Sequence, residues 1–212
     1  LWDKYPVEQV ATPEGYARNP EQVINFYNER RKQLLDVVPN AGHLGVADLE
    51  RDFNVTVVTQ NVDNLHERAG STHVIHLHGE LTKVCSSRDP YNPHFVKELA
   101  PEEYEVKLGD KAGDGTQLRP FIVWFGESVP EIETAIRYVE QADIFVIIGT
   151  SLNVYPAAGL LNYVPRAAEV YLIDPKPVDT HVMRPIHVIQ KGASEGVKEL
   201  KALLTAVSYT HL

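Results

Sequence analysis

The sequence predicts an α/β fold, a doubly wound parallel sheet with a small inserted subdomain, on three observations. Apolar, β-branched runs alternate with segments of helical period along most of the chain, the pattern of strands separated by crossover helices. The run Val55-Thr56-Val57-Val58-Thr59 has the composition of a strand buried in a parallel sheet. Between Ser86 and Gln117 the alternation stops in a stretch rich in Pro, Asp, Glu and Gly, which marks an excursion from the main sheet, bounded at about 84–118.

Taken in order, the first clear element is a helix. Asn19 is an N-cap candidate, Pro20 takes the first helical position and Gln22 stands where a capping box wants it. The helix is expected to run to about Val38 and stop before Pro39. A strand follows at 55–59, a short helix near 65–69 and an extended run at 72–77. Strands are then expected at 121–124, 144–148, 170–173 and 187–189, and helices at 131–141, 156–163 and 194–204. Strands and helices in this succession give a Rossmann-like sheet within one domain spanning 1–212.

Bulk properties exclude several classes. The 212 residues suffice for one domain with a sizeable core, and 43% hydrophobic with 23% charged residues is ordinary for a globular protein. A net charge of −9 with no Lys/Arg stripe argues against nucleic acid and anionic membrane as partners. The one cysteine, Cys85, excludes an internal disulfide framework and fits a reducing compartment. The longest apolar stretch, Ile144 to Ile148, is too short to span a bilayer. A soluble, cytoplasmic protein is therefore expected. The chain opens at Leu1-Trp2 and its one methionine is Met183, so an N-terminally truncated fragment is expected, with Ser208 to Leu212 as a frayed or foreign tail.

Four constellations carry chemistry. Gln60, Asn61 and Asp63 follow the first strand, at the carboxyl end where parallel sheets bind ligands. Asn and Asp are also turn formers, but Gln60 is not, and the three side chains together suit a carboxamide or ribose. His73, His76 and His78 come next. His76 and His78 share a strand face, so a metal is one reading; the other is a general base at His78, just before Gly79, since an imidazole titrates near ~6.5. Third, Gly149-Thr150-Ser151 follows an apolar strand, where small residues allow phosphate or ribose oxygens to approach the backbone; a tight turn would read the same. Fourth, Tyr27 and Arg30 lie three apart on a predicted helix. Arg presents a fork matched to a carboxylate, while packing of Tyr27 and a surface ion pair for Arg30 is the alternative.

The ordered motifs TQNVDNLHERAG, HLHGEL, FIVWFGE and IGTSLNVYPAAG resemble the sirtuin (Sir2) family of NAD-dependent protein lysine deacylases, over about residues 1–204. Within it the chain is most similar to the bacterial, CobB-like class III branch, because Tyr27 and Arg30 in FYNERR match that branch's Tyr-x-x-Arg acyl-selecting motif.

The resemblance implies roles position by position. His78 matches the catalytic histidine; Gln60, Asn61 and Asp63 match groups around nicotinamide and its ribose. Gly149, Thr150 and Ser151 match the adenosine-side turn, and Ala193 a late backbone contact to adenine. Val123, Trp124, Phe125 and Gly126 match the segment that pairs with a substrate peptide by strand addition, and Tyr27 with Arg30 would line the acyl pocket. It implies NAD as co-substrate, acyl-lysine proteins or peptides as partners, and transfer of the acyl group to ADP-ribose with release of nicotinamide. Acetyl-lysine is the implied substrate, with succinyl- or malonyl-lysine favoured by Arg30. Protein mono-ADP-ribosylation, or a non-catalytic ADP-ribose or acyl-peptide binding fragment, are the alternatives. Three departures from the family stand out. Its glycine-rich phosphate loop is expected to be absent because the chain starts after it, its usual Asn-Glu-Pro reads Ile173-Asp174-Pro175, and its zinc-binding cysteine pairs are reduced to Cys85. With His94 as the only other candidate ligand, no zinc is expected.

Overall fold

The computed structural model describes residues 5–150, 157–177 and 184–209. Along the chain the elements are α1 (Val7–Val10), α2 (Pro13–Arg18), α3 (Pro20–Leu34), α4 (Ala41–Asp48), β1 (Val57–Thr59), α5 (Leu65–Ala69), β2 (Val74–His76), β3 (Gly79–Ser86), β4 (Val96–Glu98), β5 (Leu118–Ile122), α6 (Ile132–Val139), β6 (Ile144–Ile148), α7 (Ala157–Leu160), β7 (Glu169–Ile173), β8 (His187–Ile189) and α8 (Ala193–Tyr209). They gather into two units, one made of 1–38, 59–64 and 76–130, the other of 39–58, 65–75 and 131–212.

In the first unit, α3 starts where its cap dictates: the Asn19 side chain accepts the Gln22 N–H at 3.2 Å and Pro20 is the first helical residue. Val23, Ile24, Phe26 and Tyr27 form its buried face, each worth about 1.5–3 kcal/mol when fully withdrawn from water. The helix ends at Leu34, short of the expected Val38. Leu35, Asp36 and Val37 donate to carbonyls three residues back, tightening the end of the helix, and Pro39 disfavours helical geometry at Val38. Two short helices that the sequence reading did not expect precede it; Thr12 caps α2 by accepting the Gly15 N–H at 2.9 Å.

The sheet of this unit is antiparallel, in the order β4-β3-β5, with Val84 opposite Pro120 and Cys85 opposite Arg119. Pro120 is tolerated because β5 is an edge strand. The strand expected at 121–124 therefore begins three residues earlier and stops at Ile122, because the Trp124 N–H turns to the Glu127 side chain instead of continuing a ladder. Ile24, Val84 and Val106 form a core cluster, flanked by Tyr16, Leu99 and Leu118.

The second unit holds a parallel sheet in the order β6-β7-β8, in register from Ile144 opposite Glu169 to Ile173 opposite Ile189. Tyr171, Ile173 and Ile189 pack with Val197, Leu200 and Leu204 of α8 and with Val46 and Leu49, and Val57 of β1 joins them with Val55 just before it. Helix α4, also unexpected, carries a reciprocal capping box: His43 N–H donates to the Asn40 side chain and Asn40 N–H to His43 Nδ1. The helix expected at 156–163 is α7 followed by a 3-10 turn, Leu161–Tyr163. Strands β1 and β2 pair as a separate ribbon. Val57 donates to His73 and Leu77 to Thr59, with both offsets running the same way, as in a parallel pair. Among the described residues no helix is long and apolar enough to cross a membrane.

Candidate active site

The residues after β1 are held by the histidine strand. Four consecutive carbonyls each accept a hydrogen bond from the segment 76–81: Thr59 from Leu77 N–H, Gln60 from His78 Nδ1, Asn61 from His76 Nδ1 and Val62 from Leu81 N–H, at 2.9, 3.1, 3.2 and 2.8 Å. The Asn61 N–H donates to Thr59 Oγ1 at 3.0 Å. The backbone of the run Gln60-Asn61-Val62 is thus answered from outside the turn, and Asn61 itself is exposed.

These bonds fix both imidazoles. A carbonyl oxygen can only accept, so Nδ1 of His78 carries the hydrogen and a neutral ring holds its lone pair on Nε2. His76 is likewise held through Nδ1 and is buried, with Nε2 3.9 Å from Glu80 Oε1. His76 and His78 do share a face, and it is the face turned to the 60–61 backbone. His73 has its own partners, with Nδ1 2.9 Å from Thr56 Oγ1 and its ring edge-on to Tyr138.

Gly79 makes the next turn possible. Its φ is +90°, and a Cβ there would lie 2.1 Å from the Phe121 carbonyl oxygen. Only glycine lets β3 start against β5 immediately after His78. The His78 carbonyl then accepts the Val123 N–H at 2.9 Å, tying the histidine to the segment 123–126.

In that segment Trp124 is buried and Phe125 is 67% exposed. Three consecutive amides are committed: Val123 to the His78 carbonyl, Trp124 to Glu127 Oε1 and Phe125 to the Ala11 carbonyl. Tyr27 is 3% exposed, donates its hydroxyl to the Val10 carbonyl at 2.9 Å and accepts the Trp124 indole N–H at 3.1 Å. Burial pushes this phenol up to about 12. Arg30, one turn on, donates to Gln33 Oε1 at 2.9 Å and lies over the Phe26 ring at 4.5 Å. Tyr27 is buried and Arg30 half-buried, and the Phe26 ring lies against both.

In the other unit, Gly149 follows β6 with φ +64°, is exposed, and has no atom within 4 Å of where a Cβ would stand. Its N–H donates to the Ile173 carbonyl at 3.1 Å. Thr150 is half-buried and Ala193 opens α8, while Ser151 lies outside the described residues.

Cys85 is fully buried, its Sγ 3.8 Å from the Pro120 carbonyl, and burial pushes the thiol up to about 12. A structural zinc site takes four Cys or His ligands, and Cys85 is the chain's one cysteine. The neighbouring Ser86 stitches the segment instead: its hydroxyl donates to Asp114 and accepts the N–H groups of Arg88 and Asp89. Those groups were not singled out in the sequence, nor were Arg119 and Glu127, which contact Trp124, or Tyr91, which bonds Glu127. An Arg and a Glu flanking FIVW were the available signal.

Fold and residues together define an α/β protein in which a fixed histidine adjoins an amide- and carboxylate-bearing strand end. A profile of the Sir2 family matches residues 1–156, and the chain belongs to that family. The NAD-dependent protein deacylase of Bacteroides thetaiotaomicron is 83% identical over 204 residues, covering 96% of this chain and 87% of the relative. The NAD-dependent protein deacylase of Helicobacter pylori (strain 26695) is 46% identical over 200 residues, covering 94% and 85%. Among solved structures, a Sir2 homolog–NAD complex superposes with a TM-score of 0.80 at 35% identity, over 98% of this chain and 80% of that one. Sir2Tm bound to a propionylated peptide gives 0.73 at 26% identity, over 93% and 84%.

Proposed function

We propose that this chain is an NAD-dependent protein lysine deacylase, acting on acetyl-lysine and, through Arg30, on succinyl- or malonyl-lysine. The observation that supports this is the hydrogen bond from His78 Nδ1 to the Gln60 carbonyl at 3.1 Å, which leaves Nε2 as the basic nitrogen of a neutral ring. The names of its relatives and the NAD and acylated-peptide complexes of its structural neighbours support the reading.

NAD, when bound, supplies a ribose carbon that gives up nicotinamide and takes the acyl oxygen. In this reading Nε2 of His78 takes the proton of a ribose hydroxyl, Gln60 and Asn61 orient the ribose and carboxamide, and Asp63 holds the carboxamide amino group. Gly149, Thr150, Ser151 and Ala193 serve the adenosine end; the open Cβ side of Gly149 fits close approach of a ligand. A peptide laid along 123–126 finds three amides already committed, so it is held by carbonyls and the Gly126 N–H. The acyl group reaches past buried Tyr27, and a second carboxylate on it would meet the Arg30 fork. The antiparallel sheet that carries 84–118 supports reading that stretch as the inserted subdomain. A cytoplasmic setting belongs to the same proposal.

The test is to incubate acetylated and succinylated peptides with the protein, with and without NAD. Acyl loss only with NAD, together with O-acyl-ADP-ribose, supports the reading. Unchanged peptide in both arms overturns it, and label from NAD ending on protein selects ADP-ribosyl transfer instead.

A further inference from the structure

Glu127 answers both backbone groups of Trp124: its Oε1 accepts the Trp124 N–H at 2.8 Å and its own N–H donates to the Trp124 carbonyl at 3.0 Å. The carboxylate is in turn held by Arg119, whose Nη1 and Nη2 reach Oε2 and Oε1 at 2.9 and 3.0 Å. The Arg119 side chain is 4% exposed and that of Glu127 15%. Arg119 also donates from Nη2 to the Ile122 carbonyl at 2.8 Å and from Nε to the Pro120 carbonyl at 3.3 Å, and its guanidinium carbon lies 3.8 Å from the Trp124 ring centroid. Tyr91 adds its hydroxyl to Glu127 Oε1 at 3.0 Å. The backbone of Trp124 and the Ile122 carbonyl are thus held by one bidentate ion pair, while the tip, Phe125 and Gly126, faces solvent.

A buried ion pair is a poor source of net stability, because desolvation offsets much of its attraction, and a well-packed apolar pair of like volume often serves as well. What an apolar pair cannot do is accept the Trp124 N–H or bind the Ile122 carbonyl. We propose that Arg119 and Glu127 are positioning residues for the acyl-peptide, presetting the backbone at 123–126 in its binding conformation before the peptide arrives. This rests on the deacylase reading. A preset edge lowers the ordering entropy lost on binding, so its loss falls on peptide affinity and leaves the co-substrate alone.

The experiment uses the full chain and Glu127→Ala, Glu127→Gln and Arg119→Met/Glu127→Leu. It reads KM for an acetyl-lysine peptide, KM for NAD, and hydrogen exchange of the 123–127 amides. Glu127→Ala is expected to raise peptide KM about tenfold and speed Trp124 amide exchange by a similar factor, with KM for NAD within about twofold. Glu127→Gln, which keeps an acceptor for Trp124, recovers most of the loss. The apolar double variant removes the acceptor without leaving a lone buried charge, and should fold yet still show the raised peptide KM. A folded double variant with wild-type peptide KM overturns the proposal, as do KM values for both substrates rising together across the set. If the wild-type chain turns nothing over, the deacylase reading falls, and exchange alone decides the clamp. Faster exchange at Trp124 in the double variant supports it, and unchanged exchange overturns it.

Discussion

Trp124 donates its indole N–H to the phenol oxygen of Tyr27 at 3.1 Å, across 97 residues of sequence. The phenol passes its own proton to the Val10 carbonyl at 2.9 Å. One hydroxyl thus couples the start of the chain, the helix α3 and the segment after β5.

Tyr27→Phe should therefore destabilise the fold, since it leaves a buried carbonyl and a buried indole N–H without their partner, at a cost of about 2 kcal/mol. Burial raises this phenol to about 12 from an ordinary value of 10.0, so the native state favours the protonated form. Its contribution is complete below the unfolded value and is lost as pH rises from there toward 12. Denaturant unfolding across that range should show a shallower alkaline decline in Tyr27→Phe than in wild type.

His78→Asn isolates the basic nitrogen. An asparagine amide can donate to the Gln60 carbonyl much as Nδ1 does, but has nothing at the place of Nε2. Turnover should fall by roughly 10²–10⁴, while the unfolding midpoint and NAD affinity change little. Activity near wild type would remove His78 from its proposed role.

Arg30→Met tests the acyl preference. Loss of the guanidinium removes a charge-assisted contact that only an acidic acyl group can make, worth about 1.5–3 kcal/mol. Desuccinylation should drop by an order of magnitude or more beyond any drop in deacetylation, measured as kcat/KM on matched peptides. Equal losses would leave Arg30 as a helix-surface residue partnered by Gln33.

Two glycines with positive φ should respond differently to alanine. At Gly79 the new Cβ would strike the Phe121 carbonyl, so Gly79→Ala should lose roughly 3 kcal/mol or more and shift His78 with it. At Gly149 the Cβ side is open, so Gly149→Ala should lose about 1–2 kcal/mol from backbone strain, with a larger proportional loss in NAD affinity. Thermal unfolding and calorimetry together separate the two.

Acid stability should report the Arg119 pair. Burial pushes the Glu127 carboxyl up, but hydrogen bonds and charge from Arg119 outweigh it and hold it below the usual carboxylate range. Its contribution is present above the unfolded pKa and is lost as pH falls through the lower folded one. In Arg119→Met/Glu127→Leu that part of the acid limb should flatten.

What the sequence revealed depended on periodicity and chemistry being local. The strand at 144–148 was legible because it is an unbroken apolar run of strand length. The start of α3 was legible because its cap and proline are adjacent. Helix α4 was missed although Asn40 and His43 form a capping box, because His is not the Glu or Gln that such a box is read by. Strand β5 was misplaced because Arg119 and Pro120 look like loop residues, and their place in a strand depends on partners 34 or more positions away. The same applies to the polar run after β1. Its residue types were plain in the sequence, but that four successive carbonyls are met by 76–81 depends on pairing between separate segments.

Cys85 turns the interior of the antiparallel sheet into something that can be timed. It is the sole thiol of the chain, fully buried, and held protonated by its surroundings. A thiol-specific reagent therefore reaches it only when β3 and β5 separate, and each modified molecule records one such opening at one known atom. The labelling rate in native buffer gives the opening equilibrium of the strands that carry His78 to its neighbours, with no engineered probe.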